Sequence, residues 1–303
     1  MNEYRFDGRV AVVTGAGRGI GRAHALLLAA RGASVVVNDL GGSKEGVGAN
    51  ARPASSVAEE IVAAGGVALS DTNDVSTEVG AESIINAALT QFGRIDIVIN
   101  NAGIIRWADL PVADLGTLRD TLDVHLIGSF NVTRAAWPHM MEQNYGRVVM
   151  TTSTGIFGLR GNLAYAAAKS GLIGLTRNLR LSGAKYGINV NLIAPVAYTR
   201  MGGAPVAEPD PADAPPTLSP DLVSPIVAYL CHETCQVSGE MYAAGAGRFS
   251  RIFIASTDGY VQADREPTLE DIAENWSTIN DETGYYVPSD LPDWAGQYMK
   301  HIN

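Results

Sequence analysis

The stretch VAVVTGAGRGIGRAHALLLAARGASVVVND, residues 10–39, contains the pattern that decides the fold. It begins with a run of apolar and β-branched residues, passes through Gly15, Gly19 and Gly21 into a segment with helical spacing, and ends with a second apolar run and Asp39. This order predicts a strand, a tight turn, a helix and a parallel strand. Glycines in the turn let the backbone approach a pyrophosphate, whose charge the amino terminus of the helix also favours. The stretch therefore predicts a dinucleotide-binding unit.

The same alternation of short apolar runs and longer helical patterns continues over most of the chain. It predicts an α/β fold, a doubly wound parallel seven-stranded Rossmann sheet with helices on both faces. The predicted strands are Val10 to Val13, Ser34 to Asn38, Val67 to Asp71, Ile95 to Asn100, Arg147 to Thr151, Asn189 to Ile193 and one near Glu240 to Ala243. The predicted helices begin near Gly19, Ser55, Glu78, Leu115, Tyr165 and Asp221.

Composition excludes some classes of partner. The formal net charge is −10 over 303 residues, whereas binding to nucleic acid or to an anionic membrane needs a dense basic surface. No run of about 18 apolar residues predicts a membrane span, and the first residues lack the pattern of a secretory signal, so we expect a cytoplasmic protein. Cys231, His232 and Cys235 are close enough for a metal or redox site. Packing on a helix is the favoured interpretation, and we predict no metal.

Two acidic residues are expected to contact the adenosine part of the dinucleotide. Asp39 is expected to accept hydrogen bonds from the adenosine ribose hydroxyls and to repel a 2′-phosphate, which favours NAD over NADP. Arg18 in the glycine-rich turn opposes this preference, but it does not remove the repulsion from the carboxylate. Asp74 and Val75 follow the third predicted strand and are expected to enclose the adenine ring. An ordinary strand-end cap is the alternative for that pair.

Three motifs resemble the short-chain dehydrogenase/reductase family: TGxxxGIG at residues 14–21, NNAG at 100–103 and YxxxK at 165–169, within a match that covers residues 6–247. The resemblance implies an oxidoreductase that uses NAD to interconvert a secondary alcohol and a ketone. It also implies that NNAG stabilises the central sheet beside the cofactor. The residues expected to bind the cofactor are Gly15, Arg18, Gly19, Ile20, Gly21, Asp39, Leu40, Asp74, Val75, Asn101, Ala102, Gly103, Tyr165, Lys169 and Pro195.

Tyr165 and Lys169 are candidates for the chemical centre. They are four residues apart on a predicted helix, so their side chains emerge on one face. An ammonium beside a phenol favours the phenolate, so we expect the pKa of Tyr165 to fall from its ordinary value of about 10 towards neutrality, as suits a general base. The resemblance implies that the lysine also holds the nicotinamide ribose.

Two further catalytic positions depart from the family pattern. The family has a serine thirteen residues before the tyrosine, where this chain has Thr152, while Ser153 follows it. Either hydroxyl can donate to the substrate oxygen; residue type favours Ser153, and both stay candidates. His125 stands where most members have an asparagine that holds a proton-relaying water. An imidazole can form similar hydrogen bonds or can simply pack in the core.

A closer similarity narrows the substrate. VVVNDLGG, VHLIGSFNVTRAAWPHM, YGRVVMT and CHETC resemble the dehydrogenase part of the type 2 peroxisomal multifunctional enzymes. This implies a stand-alone enzyme for (3R)-hydroxyacyl-CoA or for 17β-hydroxysteroids in fatty-acid or sterol breakdown. A dehydrogenase for another small alcohol and an inactive NAD-binding partner are the alternatives. The candidates for contacts with the phosphates of CoA are Arg106, Arg160, Arg200 and Arg248.

The predicted domain covers residues 1–249 and includes a substrate loop at 196–220. The part of this loop from Met201 is rich in proline and acid, so it is interpreted as a lid or as an idle surface excursion. Residues 250–303 form an extension with a predicted helix at 268–279, and Thr268 with Asp271 resembles a capping box. We expect this extension to dock on its own domain or on a neighbouring subunit of a dimer or tetramer.

Overall fold

The computed structural model of the chain describes residues 3–201 and 215–302. Its centre is an eight-stranded sheet in the order β3-β2-β1-β4-β5-β6-β7-β8, and the first seven strands of this order run parallel to their neighbours. The strands are β1 Val10–Thr14, β2 Ser34–Asn38, β3 Val67–Asp71, β4 Ile97–Asn100, β5 Gly146–Thr151, β6 Ile188–Val196, β7 Met241–Gly245 and β8 Arg248–Ile252.

Helices connect the parallel strands. They are α1 Gly19–Ala30, α2 Arg52–Ala63, α3 Glu78–Phe92, α4 Leu115–Leu122, α5 Gly128–Gln143, α6 Leu163–Gly183 and α7 Ser224–Cys231. They pack in two groups, since α1 contacts α2 and α7, while α3 contacts α5, and α4 contacts α6. Every residue of β1, β4 and β5 is buried, as expected for central strands whose two faces are covered. The doubly wound α/β prediction is confirmed.

The strand order places the site. The chain proceeds from β1 outward through β2 and β3, and then returns to pair β4 with the other side of β1. In open parallel sheets, ligands bind at the carboxyl ends of the strands where the order reverses, because the flanking loops separate there. The crevice of this molecule is therefore expected between the loops that follow β1 and β4.

The eighth strand corrects the prediction of a seven-stranded sheet. β8 follows β7 after a two-residue turn, in which Ala246 has φ +51° and Gly247 has φ +73°. Two successive residues of positive φ form the turn that suits a tight β-hairpin, so β8 runs antiparallel to β7. The prediction ended the sheet too early because the Ala-Gly turn is a weaker hairpin signal than Asn-Gly.

The chain divides into two compact units between Arg251 and Ile252. The second unit contains α8 Leu269–Glu274, α9 Trp276–Ile279 and α10 Leu291–Tyr298. The capping box of Thr268 and Asp271 is present at the start of α8, as predicted. The predicted helix at 268–279 is interrupted at Asn275. Docking of the extension stays a prediction.

The predicted lid overlaps residues 202–214, which lie outside the described residues. Among the residues that are described, no helix has both the length and the apolar character that a membrane crossing requires.

Candidate active site

The glycine-rich turn joins β1 to α1 in a conformation that other residues would strain. Gly15 and Gly19 have φ +63° and +53°, in the left-handed region. A Cβ atom on Gly21 would lie 2.3 Å from the Gly15 carbonyl oxygen. No side chain caps the amino terminus of α1, which begins after Arg18. Its backbone N–H groups are therefore suited to bind an anion.

Asp39, which follows β2, joins the turn to the next loop. One carboxylate oxygen accepts a hydrogen bond from the Gly17 backbone nitrogen at 2.9 Å, and the other accepts one from Gly41 at 2.7 Å. A Cβ atom on Gly17 would lie 2.8 Å from the same carboxylate. The carboxylate is therefore held in one place beside the turn.

The NNAG segment follows β4 and stabilises the neighbouring turn. The Asn101 amide nitrogen donates to the carbonyl oxygens of Thr14 and Gly15 at 2.9 and 3.1 Å. The backbone nitrogens of Asn101 and Ala102 both donate to the Thr14 hydroxyl at 3.0 Å. These bonds connect the carboxyl ends of β1 and β4 at the point where the strand order reverses.

A cleft of about 450 Å³ opens at this edge of the sheet. The expected residues that line it are Gly15, Arg18, Gly19, Ile20, Asp39, Leu40, Asp74, Val75, Asn101, Ala102 and Gly103. Gly21 is buried under the turn, and Pro195 lies in β6 paired with Ala244. Asp74 lines the cleft and also caps its own turn, because its carboxylate accepts from the backbone nitrogen and hydroxyl of Ser76.

Several lining residues were not named individually from the sequence. They are Gly41, Gly42, Ser43 and Gly46 after β2, Asp120 in α4 with Asp123 and Val124 directly after it, and Tyr198, Thr199 and Met201 in the predicted substrate loop. Position after a parallel strand was the available signal for Tyr198 and Thr199. Of the four arginine candidates, Arg106 and Arg200 line the cleft.

Tyr165 and Lys169 lie on the first turns of α6, one turn apart as expected. The Lys169 ammonium nitrogen is 5.5 Å from the centroid of the Tyr165 ring and donates to the Thr151 carbonyl oxygen. Burial lowers the pKa of Lys169 to about 7. Burial also raises the pKa of Tyr165 above its ordinary value. The expected lowering of the tyrosine pKa is wrong for this arrangement, because desolvation outweighs any effect of the lysine.

The two adjacent hydroxyls have different partners. Thr152 is fully buried, and its hydroxyl donates to the Lys169 carbonyl oxygen at 2.8 Å. The Ser153 side chain lies beside Tyr165, and hydrogen bonding from it opposes the upward shift of the tyrosine pKa. It also accepts from the Gly155 backbone nitrogen at 3.0 Å. The geometry pairs Ser153, not Thr152, with the tyrosine.

His125 lies in a π-helical turn, Asp123–Ile127, between α4 and α5. Its ring meets the Tyr165 ring edge-on, with centroids 5.1 Å apart. Nε2 is 2.7 Å from the Ile104 carbonyl oxygen. The Ile104 backbone nitrogen is 3.1 Å from the same Nε2, so Ile104 offers that atom both a donor and an acceptor, and Nδ1 is buried without a partner among the described residues. Burial, and then Lys169, hold the pKa of His125 well below its usual range, so the ring is neutral.

Comparison with known proteins identifies the family. Residues 9–204 match the short chain dehydrogenases. The chain is a short-chain dehydrogenase. It is 46% identical over 277 residues to a short-chain type dehydrogenase/reductase of Mycobacterium tuberculosis, covering 91% of this chain and 95% of that protein. It is 44% identical over 281 residues to peroxisomal multifunctional enzyme type 2 of Drosophila melanogaster, covering 91% of this chain and 46% of that enzyme. The chain thus spans less than half of that relative.

Solved structures agree with this assignment. The full-length multifunctional enzyme type 2 of Drosophila melanogaster superposes with a TM-score of 0.81 at 35% identity, covering 98% of this chain and 50% of that one. A 7α-hydroxysteroid dehydrogenase complexed with NADH and 7-oxo glycochenodeoxycholic acid superposes with a TM-score of 0.68 at 26% identity, covering 80% of this chain and 95% of that one. The short-chain dehydrogenase is therefore an oxidoreductase that uses a nicotinamide cofactor and acts on a small molecule.

The cysteine pair of this short-chain dehydrogenase lies away from the cleft. Cys231 and Cys235 are free and buried. Burial raises the pKa of the Cys231 thiol far above its ordinary value. The nitrogens of His232 contact the Thr234 hydroxyl and the Arg5 carbonyl oxygen. These contacts fit the packing interpretation.

Proposed function

We propose that this short-chain dehydrogenase uses NAD to interconvert a (3R)-hydroxyacyl-CoA thioester and the corresponding 3-oxoacyl-CoA. The single observation that carries the chemistry is the contact of Ser153 with Tyr165 on α6, one turn before buried Lys169. A hydroxyl donor beside a phenol can hold a substrate oxygen while the phenol accepts or returns its proton. When bound, the nicotinamide ring accepts or supplies the hydride.

Each residue of the proposed centre has its own role. Tyr165 is the proton carrier, and Ser153 holds the substrate oxygen. Lys169 supports the proton transfer and binds the nicotinamide ribose. His125 presents a buried ring nitrogen, Nδ1, that has no partner among the described residues, in a ring that lies beside Tyr165 and whose pKa the charge of Lys169 helps to lower. We propose that this nitrogen holds a water molecule that passes protons between Lys169 and solvent, as the asparagine does in other family members.

The cofactor residues fit a dinucleotide. The uncapped start of α1 provides N–H donors for a pyrophosphate, and the glycine-rich turn has no room for side chains at Gly17 and Gly21. We propose NAD over NADP because Asp39 is fixed at the end of β2, where its negative charge opposes a 2′-phosphate. The remaining expected cofactor contacts, including Pro195, belong to this proposal.

The substrate class rests on the relatives and on two arginines of the cleft. Arg106 donates to the Glu45 carbonyl oxygen and pairs with Asp120, while Arg200 donates to the Gly42 carbonyl oxygen. Both guanidinium groups line the cleft and can meet phosphate charge. The structural similarity to a 7α-hydroxysteroid dehydrogenase favours a hydroxysteroid as the second candidate substrate, and the resemblance of the sequence motifs implies the 17β position.

A substrate panel tests the proposal. The purified enzyme would be assayed with NAD against (3R)- and (3S)-hydroxyacyl-CoA, a 17β-hydroxysteroid and simple secondary alcohols. The expected result is the highest kcat/KM for a (3R)-hydroxyacyl-CoA. A preference for the steroid would replace the leading substrate with the second candidate. Absence of hydride transfer to any of them would contradict the enzymatic proposal and favour an inactive NAD-binding partner.

Self-association and a cytoplasmic location complete the proposal. The second unit exposes Trp276, Tyr285 and Tyr298, and so much aromatic surface favours a contact with another chain. The free buried cysteines suit a reducing compartment. Deletion of residues 265–303 should lower the number of subunits per particle determined by light scattering and raise the substrate KM, while NAD binding persists. An unchanged number of subunits together with an unchanged KM would contradict a role for the extension in the assembly.

A further inference from the structure

Asn162 is a buried polar residue for which the fold has no evident use. It precedes α6 at the position where an asparagine side chain ordinarily accepts hydrogen bonds from the first N–H groups of the helix. Here the side chain makes no capping bond. The residue is 3% exposed, and its Oδ1 atom has no hydrogen-bond partner among the described residues. An orphaned acceptor of this kind is destabilising, so the retention of this amide needs a reason, and its donor end, Nδ2, is the end that faces other polar groups.

The amide of Asn162 lies beside the proposed catalytic pair. A Cβ atom built on Gly155 would be 2.8 Å from Asn162 Nδ2, 3.3 Å from Ser153 Oγ and 3.8 Å from Tyr165 Cδ1. The three side chains therefore surround one point that glycine leaves without a side chain. Asn162 adds a third polar group to the two that hold the reacting oxygen.

Backbone contacts hold the residue in this place. The Asn162 nitrogen donates to the Leu159 carbonyl oxygen at 3.2 Å, and its own carbonyl accepts from Ala166 at 2.8 Å. A β-bridge pairs Asn162 with Ala108. The main chain is anchored on both sides, whereas the amide is left to an outside partner.

We propose that Asn162 is a specificity-determining residue for substrates with a second oxygen near the reacting carbinol, and that Nδ2 donates to the thioester carbonyl of a 3-hydroxyacyl group. The proposal rests on the proposed function. In a 3-hydroxyacyl thioester the two oxygens are carried by carbons that share one neighbour. One oxygen can therefore meet Ser153 and Tyr165 while the other meets the adjacent amide. A simple secondary alcohol has no group for this contact.

The test compares two substrates in the full-length enzyme with NAD. One is the N-acetylcysteamine thioester of a 3-hydroxy acid, and the other is a 2-alkanol of equal chain length. Asn162→Leu should lower kcat/KM for the thioester about tenfold, in line with the loss of one hydrogen bond. Its kcat/KM for the alkanol should stay within about twofold of the wild-type value. Leu159→Ala, on the same loop, is the matched control and should leave the ratio of the two kcat/KM values unchanged. Ser153→Ala should lower kcat/KM for both substrates by a similar factor.

Equal losses on both substrates in Asn162→Leu would show a structural role and overturn the inference. If that variant does not fold, Asn162→Asp removes the donor, suits a helix amino terminus, and should lower the same ratio. If the wild-type enzyme oxidises (3R)-hydroxyacyl-CoA but the Asn162 variants keep its ratio of kcat/KM for the thioester to kcat/KM for the alkanol, this inference alone would be overturned. A wild-type enzyme that favours alkanols over both thioesters would overturn it together with the proposed function. If the enzyme oxidises the N-acetylcysteamine thioester but not 3-hydroxyacyl-CoA, only the proposal that CoA thioesters are the substrate would be contradicted.

Discussion

The candidate site has two halves, the glycine-rich turn with its neighbours, which line the cleft, and the group around Tyr165, and they differ in how completely the chain satisfies its own polar groups. In the half formed by the glycine-rich turn, Asp39 and the NNAG segment, the carboxylate and amide groups bond to neighbouring backbone. In the half around Tyr165, three buried atoms lack partners among the described residues: His125 Nδ1, Thr151 Oγ1 and Asn162 Oδ1. In the first half the chain itself satisfies these polar groups. In the second half, polar atoms stay available for hydrogen bonds with a substrate or a water molecule.

This difference separates residues that stabilise the fold from residues that take part in the proposed reaction. Bonds such as those of Asn101 stabilise the loops whether or not a ligand is present. Unpartnered groups around Tyr165 are costly to the fold, and they are useful where a substrate or a water must be held. Substitutions should therefore divide into those that alter turnover and those that alter stability or cofactor choice.

The largest effect is expected at Tyr165. Tyr165→Phe removes the proton carrier and keeps the ring that packs against His125, so kcat should fall by about 10²- to 10⁴-fold. NAD binding and the melting temperature should stay close to those of the wild type, because the cofactor half is self-supporting. Steady-state kinetics and nucleotide titration measure both quantities. Near-normal turnover in the variant would remove Tyr165 from the mechanism.

Ser153 and Thr152 provide the sharpest contrast between adjacent residues. Ser153→Ala should lower kcat by roughly 10²-fold, since its hydroxyl pairs with the tyrosine. Thr152→Val loses a buried bond to the Lys169 carbonyl and should instead lower the free energy of unfolding by about 1–3 kcal/mol, with a smaller change in kcat. Denaturant unfolding and kinetics of both variants make the comparison. Equal kinetic losses would mean that the two hydroxyls act as a unit.

The pH dependence follows from the raised pKa of Tyr165. Alcohol oxidation needs the phenolate, which is present above the pKa and scarce below it, whereas ketone reduction needs the protonated phenol. The kcat/KM for oxidation should therefore rise up to about tenfold per pH unit from neutral into alkaline solution, while that for reduction stays level and then declines. A flat oxidation profile would contradict a phenol with a raised pKa as the base.

The smallest expected effect concerns cofactor choice. Asp39→Ala should narrow the preference for NAD over NADP by about tenfold, because the charge that opposes a 2′-phosphate is lost. It should also lower the melting temperature, because Gly17 and Gly41 lose their acceptor. Asp74→Asn is the matched control, since Asp74 bonds within its own turn. A shift of equal size in the control would place the selectivity elsewhere.

Local signals in the sequence were strong enough to predict most of the sheet. The predicted bounds of the five-residue strands Ser34–Asn38 and Val67–Asp71 match the structure to the residue. Short strand-like runs between turns have few alternative structures. The long helical segment of α4 and α5 was predicted only from its start at Leu115. The structure divides that segment into α4, the π-helical turn and α5.

The catalytic half was predictable in residue type but not in pairing. Spacing placed Tyr165 and Lys169 on one face of a helix. Spacing alone could not separate Thr152 from Ser153, because adjacent residues on an extended segment point in opposite directions and only the tertiary structure shows which of the two lies beside the Tyr165 side chain. It also gave the wrong sign for the tyrosine pKa, since burial depends on packing from distant elements.

By itself, the sequence determined the βαβ order, the glycine-rich turn, the acidic end of the second strand and the YxxxK pair, because each depends on backbone geometry or on separations of a few residues. The tertiary structure decided which polar groups remain unpartnered. It brings Ile104 to His125, Gly155 to Asn162 and Ser153 to Tyr165. Desolvation and hydrogen bonding at those contacts arise where loops and helices pack together in three dimensions, so the local sequence pattern does not encode them.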